Sequence, residues 1–145
     1  MFERAERRYL ARARVARLAT TDADGRPHVV PICFALHEGE IVTPIDEKPK
    51  QAAPTELRRV RDIREHDRVA LVADHYVEEW NDLGWVQVRG RARISEPTND
   101  DHRPAVSALR EKYDQYDSHS LDDRPVIVVS PGSVRSWGLL DPALG

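Results

Sequence analysis

The chain has 145 residues, 40% of them hydrophobic and 32% charged, with 22 basic against 25 acidic side chains for a net charge of -3. At roughly 100–200 residues per domain this length predicts one domain with one core and excludes a two-domain enzyme. The longest apolar runs fall far short of the ~20 residues of a membrane span, the charge balance gives no general attraction to nucleic acid or anionic lipid, and the single cysteine, Cys33, forms neither an internal disulfide nor, alone, a zinc cluster.

Residues 2–13 set Phe2, Ala5, Tyr9, Leu10 and Ala13 at helical spacing with Arg4, Arg7, Arg8 and Arg12 on the other side, which predicts a short amphipathic helix. The segment has arginines but no apolar run of a signal peptide, and Glu3 and Glu6 interrupt its charge, so the expected location is the cytoplasm. Residues 15–21 break the helical period and read as a first strand, followed by a turn at residues 22–25 in which Gly25 can take positive φ. Residues 27–36 form a second strand and residues 40–45 a third, separated by the Glu38-Gly39 turn. Connections this short make an antiparallel meander. Pro31 and Pro44 cannot donate to a ladder, so each marks an edge, a bulge or a break.

Residues 47–54, with Pro49 and Pro54, read as a loop before a second helix over residues 55–65, which Thr55 can cap and in which Leu57, Val60 and Ile63 face inward. Residues 68–76 and 85–94 are the fourth and fifth strands, joined by an acidic connection carrying Trp80. A third helix over residues 101–116 turns Val106, Leu109, Tyr113 and Tyr116 to one side, tolerating Pro104 in its first turn. Residues 125–130 are the sixth strand, which residues 134–137 extend or follow. Six strands with only three helices lack the alternation of a doubly wound sheet. The predicted fold is mainly β: a small six-stranded antiparallel barrel with about three flanking helices, whose closure removes exposed edges.

No dinucleotide-binding glycine motif, P-loop or serine-nucleophile elbow is present, and the six histidines never take zincin spacing or sit with cysteine as zinc ligands. Only three of the 22 basic residues are lysines, Lys48, Lys50 and Lys112, and two of them stand in the stretch from Pro44 to Lys50. A threonine at a strand end, then a proline-stiffened loop with two ammonium groups, can hold a phosphate; salt bridges to Asp46 and Glu47 in a solvated turn are the competing reading. Trp80, Trp85 and Trp137 lie near loops or strand ends, where indoles line pockets for flat ligands, although core packing is the default. His75 either orients a ligand or sits hydrogen-bonded at a strand end. Cys33 reads as a small packed hydrophobe. The arginines of the first helix and of residues 57–61 are of a type that grips nucleic acid, but with the acidic balance they read as solvated faces.

The run Val15-Ala-Arg-Leu-Ala-Thr-Thr-Asp-Ala-Asp-Gly-Arg-Pro-His-Val-Val-Pro31, followed by Ile45-Asp-Glu-Lys-Pro-Lys50, Leu57-Arg-Arg-Val-Arg-Asp-Ile-Arg64, Asp74-His-Tyr76, Trp80 and Trp85-Val-Gln-Val-Arg-Gly-Arg91, resembles the split β-barrel flavin and deazaflavin oxidoreductases. Within them it is similar to the pyridoxamine 5'-phosphate oxidase-like branch that uses the deazaflavin coenzyme F420. The resemblance covers residues 5–138 in order. It implies a Greek-key split barrel that forms a homodimer, with an elongated cofactor in a groove between the subunits. It also implies that Thr43, Ile45, Asp46, Lys48 and Lys50 hold the cofactor phosphate, that Val30, Pro31 and Ile32 run along the ring system, that Trp80 and Trp85 reach across from the partner subunit, and that Arg58 meets the anionic tail.

The implied reaction is hydride transfer from reduced F420 to a small conjugated acceptor such as an enone, quinone or tetrapyrrole. The cofactor carries the hydride, so no side-chain nucleophile is required and no catalytic residue is assigned; the proton comes from His28, His75 or water. Residues 137–145 lack the arginine-and-histidine substrate motif of true pyridoxamine-phosphate oxidases, so no vitamin B6 activity is expected. The alternatives are an FMN-dependent oxidase or reductase, and a module that holds a flavin, deazaflavin or haem without turnover.

Overall fold

The computed structural model describes residues 1–45, 57–118 and 120–141. The amphipathic N-terminal segment forms helix α1 (Arg4–Arg12), started by a reciprocal capping box between Glu3 and Glu6. The strands are β1 (Ala16–Thr21), β2 (Pro27–Ile32), β3 (Ala35–His37), β4 (Glu40–Pro44), β5 (Arg68–His75), β6 (Gly84–Ser95) and β7 (Val126–Gly138). Helix α2 (Arg58–Glu65) precedes β5, and helix α3 (His102–Lys112) lies between β6 and β7. Among the described residues, all seven strands belong to one antiparallel sheet in the order β2-β1-β5-β6-β7-β4-β3.

The strand count differs from the sequence expectation by one, because the segment read as a single second strand breaks at Cys33-Phe34 into β2 and β3. These two pieces are the opposite edges of the sheet yet are consecutive in the chain. The two-residue corner therefore carries the backbone from one edge to the other and curls the sheet into a split barrel. Pro31 lies in edge strand β2, and Pro44 extends past the last residue of β4 that β3 reaches, Val42. Both prolines thus stand where a ladder donor is dispensable. Strand β7 runs on through Pro131 to Gly138 because its register against β6 shifts between Arg89 and Gly90. A Cβ at Gly90 would overlap the Ser130 carbonyl, so the close approach at this irregularity requires glycine.

The barrel interior is filled by alternate residues, among them Leu18, Ile41, Leu71, Val86, Val88, Ile127 and Val129, with Leu10 from α1 and Val60 and Ile63 from α2. On the other side of β4 and β7, Val42, Val126 and Val128 meet Val106, Leu109 and Tyr113 under α3. Strands β4 and β7 are consequently apolar on both faces here, each buried aliphatic side chain contributing about 1.5–3 kcal/mol. The far half of the sheet is different. Val29, Val72, Trp85, Gln87, Arg135 and Trp137 remain half-exposed or exposed on its outer face. Thr55, the expected cap of the second helix, lies outside the described residues.

Candidate functional site

Where β2 and β3 part, the end of β4 has no strand neighbour on that side among the described residues, and a small groove opens. Pro31, Ile32 and Cys33 form one wall, Thr43 and Pro44 the other, with Val15 and Arg59 completing it; its volume is about 180 Å³. Thr43, itself buried, ties the two walls together by donating its hydroxyl to the Cys33 carbonyl at 2.7 Å. Arg59, on the first turn of α2, is only 5% exposed, so its guanidinium brings a permanent positive charge into a mostly apolar enclosure. A planar, donor-only guanidinium suits a carboxylate or phosphate.

The expected site residues divide into four groups. Pro31, Ile32 and Thr43 converge on this groove. Val30 is half-buried and packs against the barrel core, and Ile45 is fully buried within it, its carbonyl 3.5 Å from the Arg124 guanidinium. Asp46, Lys48 and Lys50 lie outside the described residues.

Arg58, Trp80 and Trp85 sit elsewhere in the chain. Arg58 donates to Asp62 at 3.1 Å and stands 3.9 Å from Asp22, while Thr20 donates to the same buried Asp62 carboxylate. Trp80 is 70% exposed and donates its indole N–H to the Tyr76 hydroxyl at 3.2 Å. Trp85, cross-strand to Asp74 and Trp137, lines a separate open hollow with Arg17, Val72 and Gln87. Within one chain the tryptophans and the groove do not meet.

Arg59 corrects the reading of the arginines of residues 57–61 as a solvated face, since it is buried against the groove. The signal was present in the spacing: Arg58 and Asp62 stand four residues apart and pair on one helical face. Arg59, one position on, is turned roughly 100° further round the helix, toward the groove. His75 resolves to its structural reading. The Tyr9 hydroxyl lies 2.8 Å from Nδ1, and Nε2 is 2.5 Å from the Asp82 carbonyl, which can only accept. Nε2 therefore donates to the carbonyl and Nδ1 accepts from Tyr9. Burial, reinforced by Asp74, pushes the Tyr9 phenol up to about 12, so it remains a donor.

The profile of the pyridoxamine 5'-phosphate oxidase family matches residues 2–138. The chain belongs to this family. Its split barrel is similar to that of the conserved hypothetical protein Rv2991 from Mycobacterium tuberculosis, with 21% identity, a TM-score of 0.74, and coverage of 95% of this chain and 86% of that one. It also resembles the heme storage protein HutZ from Vibrio cholerae (15% identity, TM-score 0.69, 90% and 89% covered). A third likeness is to a putative 5-nitroimidazole antibiotic resistance protein from Bacteroides thetaiotaomicron (15% identity, TM-score 0.68, 94% and 84% covered). At such identities the likeness is one of fold. No curated protein matches the chain in sequence. No described helix is long and apolar enough to cross a membrane.

Proposed function

We propose that this pyridoxamine 5'-phosphate oxidase family member binds a flat redox cofactor with an anionic tail and passes hydride between it and a small conjugated acceptor. The observation that carries this reading is Arg59: a buried guanidinium beside Thr43 at the end of a strip formed by Pro31 and Ile32. A guanidinium fits the phosphate end of a flavin-type cofactor, with the apolar strip leading toward the ring. The resemblance assigns Lys48 and Lys50, in the stretch of sequence after β4, to the same phosphate. FMN is the occupant that the family match supports, and the deazaflavin F420 is the one that the Asp-Glu-Lys-Pro-Lys run supports.

A groove of about 180 Å³ accommodates only one end of such a molecule, since pockets for whole ligands span roughly 300–1,000 Å³. The remainder of the cofactor is covered by a second copy of the chain, whose exposed Trp80 and half-buried Trp85 offer aromatic surface for the ring. The bound cofactor supplies the hydride chemistry. The chain's own part is to fix the tail through Arg59, align the ring along β2 and exclude water, while the Thr43 hydroxyl, its proton committed to the Cys33 carbonyl, holds the groove walls together. With both His75 nitrogens engaged, the proton for the reduced acceptor comes from His28 on β2 or from water.

A second reading, storage of haem without turnover, is favoured by the likeness to HutZ. The two are separated by titrating the full chain with FMN, F420 and haemin in turn, then adding a panel of quinones and enones to the complex with reduced cofactor. Tight binding of FMN or F420 with acceptor-dependent reoxidation supports the oxidoreductase. Haemin binding alone overturns it.

A further inference from the structure

A second cavity, of about 350 Å³, lies at the corner where the end of α1 turns into β1, lined by Tyr9, His75 and Leu140 among others. Its walls carry three arginines, Arg12, Arg14 and Arg17, against one carboxylate, Asp74. Two of those arginines are already engaged: Arg12 with Asp141 at 3.1 Å and Arg17 with Asp74 at 2.5 Å. Arg14 has no carboxylate within 4.0 Å among the described residues, and its guanidinium lies over the Tyr113 ring at 4.5 Å. Tyr9 and His75 contribute no free donor, because the Tyr9 hydroxyl and the His75 ring nitrogens hydrogen-bond to each other and to the Asp82 carbonyl. What remains for a ligand is the Arg14 guanidinium beside apolar surface from Ala13, Val15 and Leu140. Donor-only groups demand an acceptor-rich partner, and the excess of positive charge demands an anion.

Val15 lines this cavity and the cofactor groove alike, so the two adjoin. We propose that the cavity at the α1–β1 corner is a carboxylate subsite, and that the molecules this protein acts on are flat, largely apolar compounds bearing a carboxylate. The assignment to a substrate rests on the cofactor reading above; the carboxylate site itself does not. The carboxylate takes up the charge of Arg14, and the apolar body lies across Val15 toward β2.

The test uses the full chain without cofactor and two probes of the same shape, 2-naphthoate and its neutral amide, followed by calorimetry and by ligand-observed NMR. Naphthoate is expected to bind about tenfold or more tightly than the amide, and the preference to shrink as salt is added. Arg14→Gln is expected to abolish the preference while leaving FMN or F420 binding unchanged. Equal binding of acid and amide, an unaltered preference in Arg14→Gln, or displacement of naphthoate by the cofactor would each overturn the proposal. Arg14-dependent naphthoate binding in a chain that takes up no cofactor would uphold the site and defeat the oxidoreductase reading alone.

Discussion

The Tyr113 hydroxyl grips Phe34 on both sides of its peptide unit, accepting from the Phe34 N–H at 3.1 Å and lying 3.0 Å from the Phe34 carbonyl. The Arg14 carbonyl is 2.9 Å from the same oxygen, so the single phenolic proton is shared between two acceptors. This contact seals the corner at which β2 becomes β3. Tyr113→Phe leaves the buried Phe34 N–H without its partner and should cost about 1–3 kcal/mol of stability. Urea unfolding checks this, and a change under about 0.5 kcal/mol would mean that the hydroxyl does not hold the seam.

Lys112 sits beside that seam, donating to the Leu10 carbonyl at 3.0 Å with its ammonium 3.9 Å from the Phe34 ring centroid. Burial, reinforced by Arg14, lowers its pKa from 10.5 to about 8. Between those two values the unfolded chain holds a proton that the folded chain has released, so this group's contribution to stability rises with pH across that window. The stability of the native chain relative to Lys112→Met should therefore increase from about pH 8 to about pH 10.5. Parallel pH-dependent urea curves for the two proteins would contradict the burial of this charge.

Lys48→Ala combined with Lys50→Ala should weaken binding of FMN or F420 without altering the fold. Removing each charge-assisted hydrogen bond costs roughly 1.5–3 kcal/mol if the pair is partly buried and less if solvent screens it. Fluorescence titration of the double variant checks the effect, with circular dichroism as the control for folding; unchanged affinity would remove the lysines from the site.

Trp85 and Trp137 face each other across β6 and β7 on the open side of the sheet, Trp137 being 53% exposed. An apolar pair in this position is suited to cover by a second subunit. Trp137→Asp together with Trp85→Glu should shift the protein to a monomer in sedimentation and at the same time lower cofactor affinity. A native chain that sediments as a monomer with cofactor bound would rule out a shared groove.

The mainly β architecture, the three helices and the edge position of Pro31 were legible in the sequence, because strand periodicity, short turns and the missing proline donor are local signals. The split at Cys33-Phe34 was not, since the residue that completes it, Tyr113, lies 79 positions away and residues 27–36 are continuously β-forming. Pro31, Ile32 and Thr43, named from the resemblance, line one groove. Arg59 was hidden behind Arg58, because two adjacent arginines look alike until the pairing of Arg58 with Asp62 fixes which side of the helix each one takes. The cavity beside Arg14 joins three separate stretches of the chain, residues 9–17, 74–75 and 140, and no spacing in the sequence announces it.

The most direct test of the account is a titration of the native chain and of Arg59→Gln with FMN and with F420, followed by cofactor fluorescence. The native chain should bind at least one of the two, and Arg59→Gln should bind it about tenfold to a hundredfold more weakly while keeping its fold, as expected when one buried charge-assisted hydrogen bond is removed. Equal affinity in the two proteins, or no binding of either cofactor by the native chain, would contradict it.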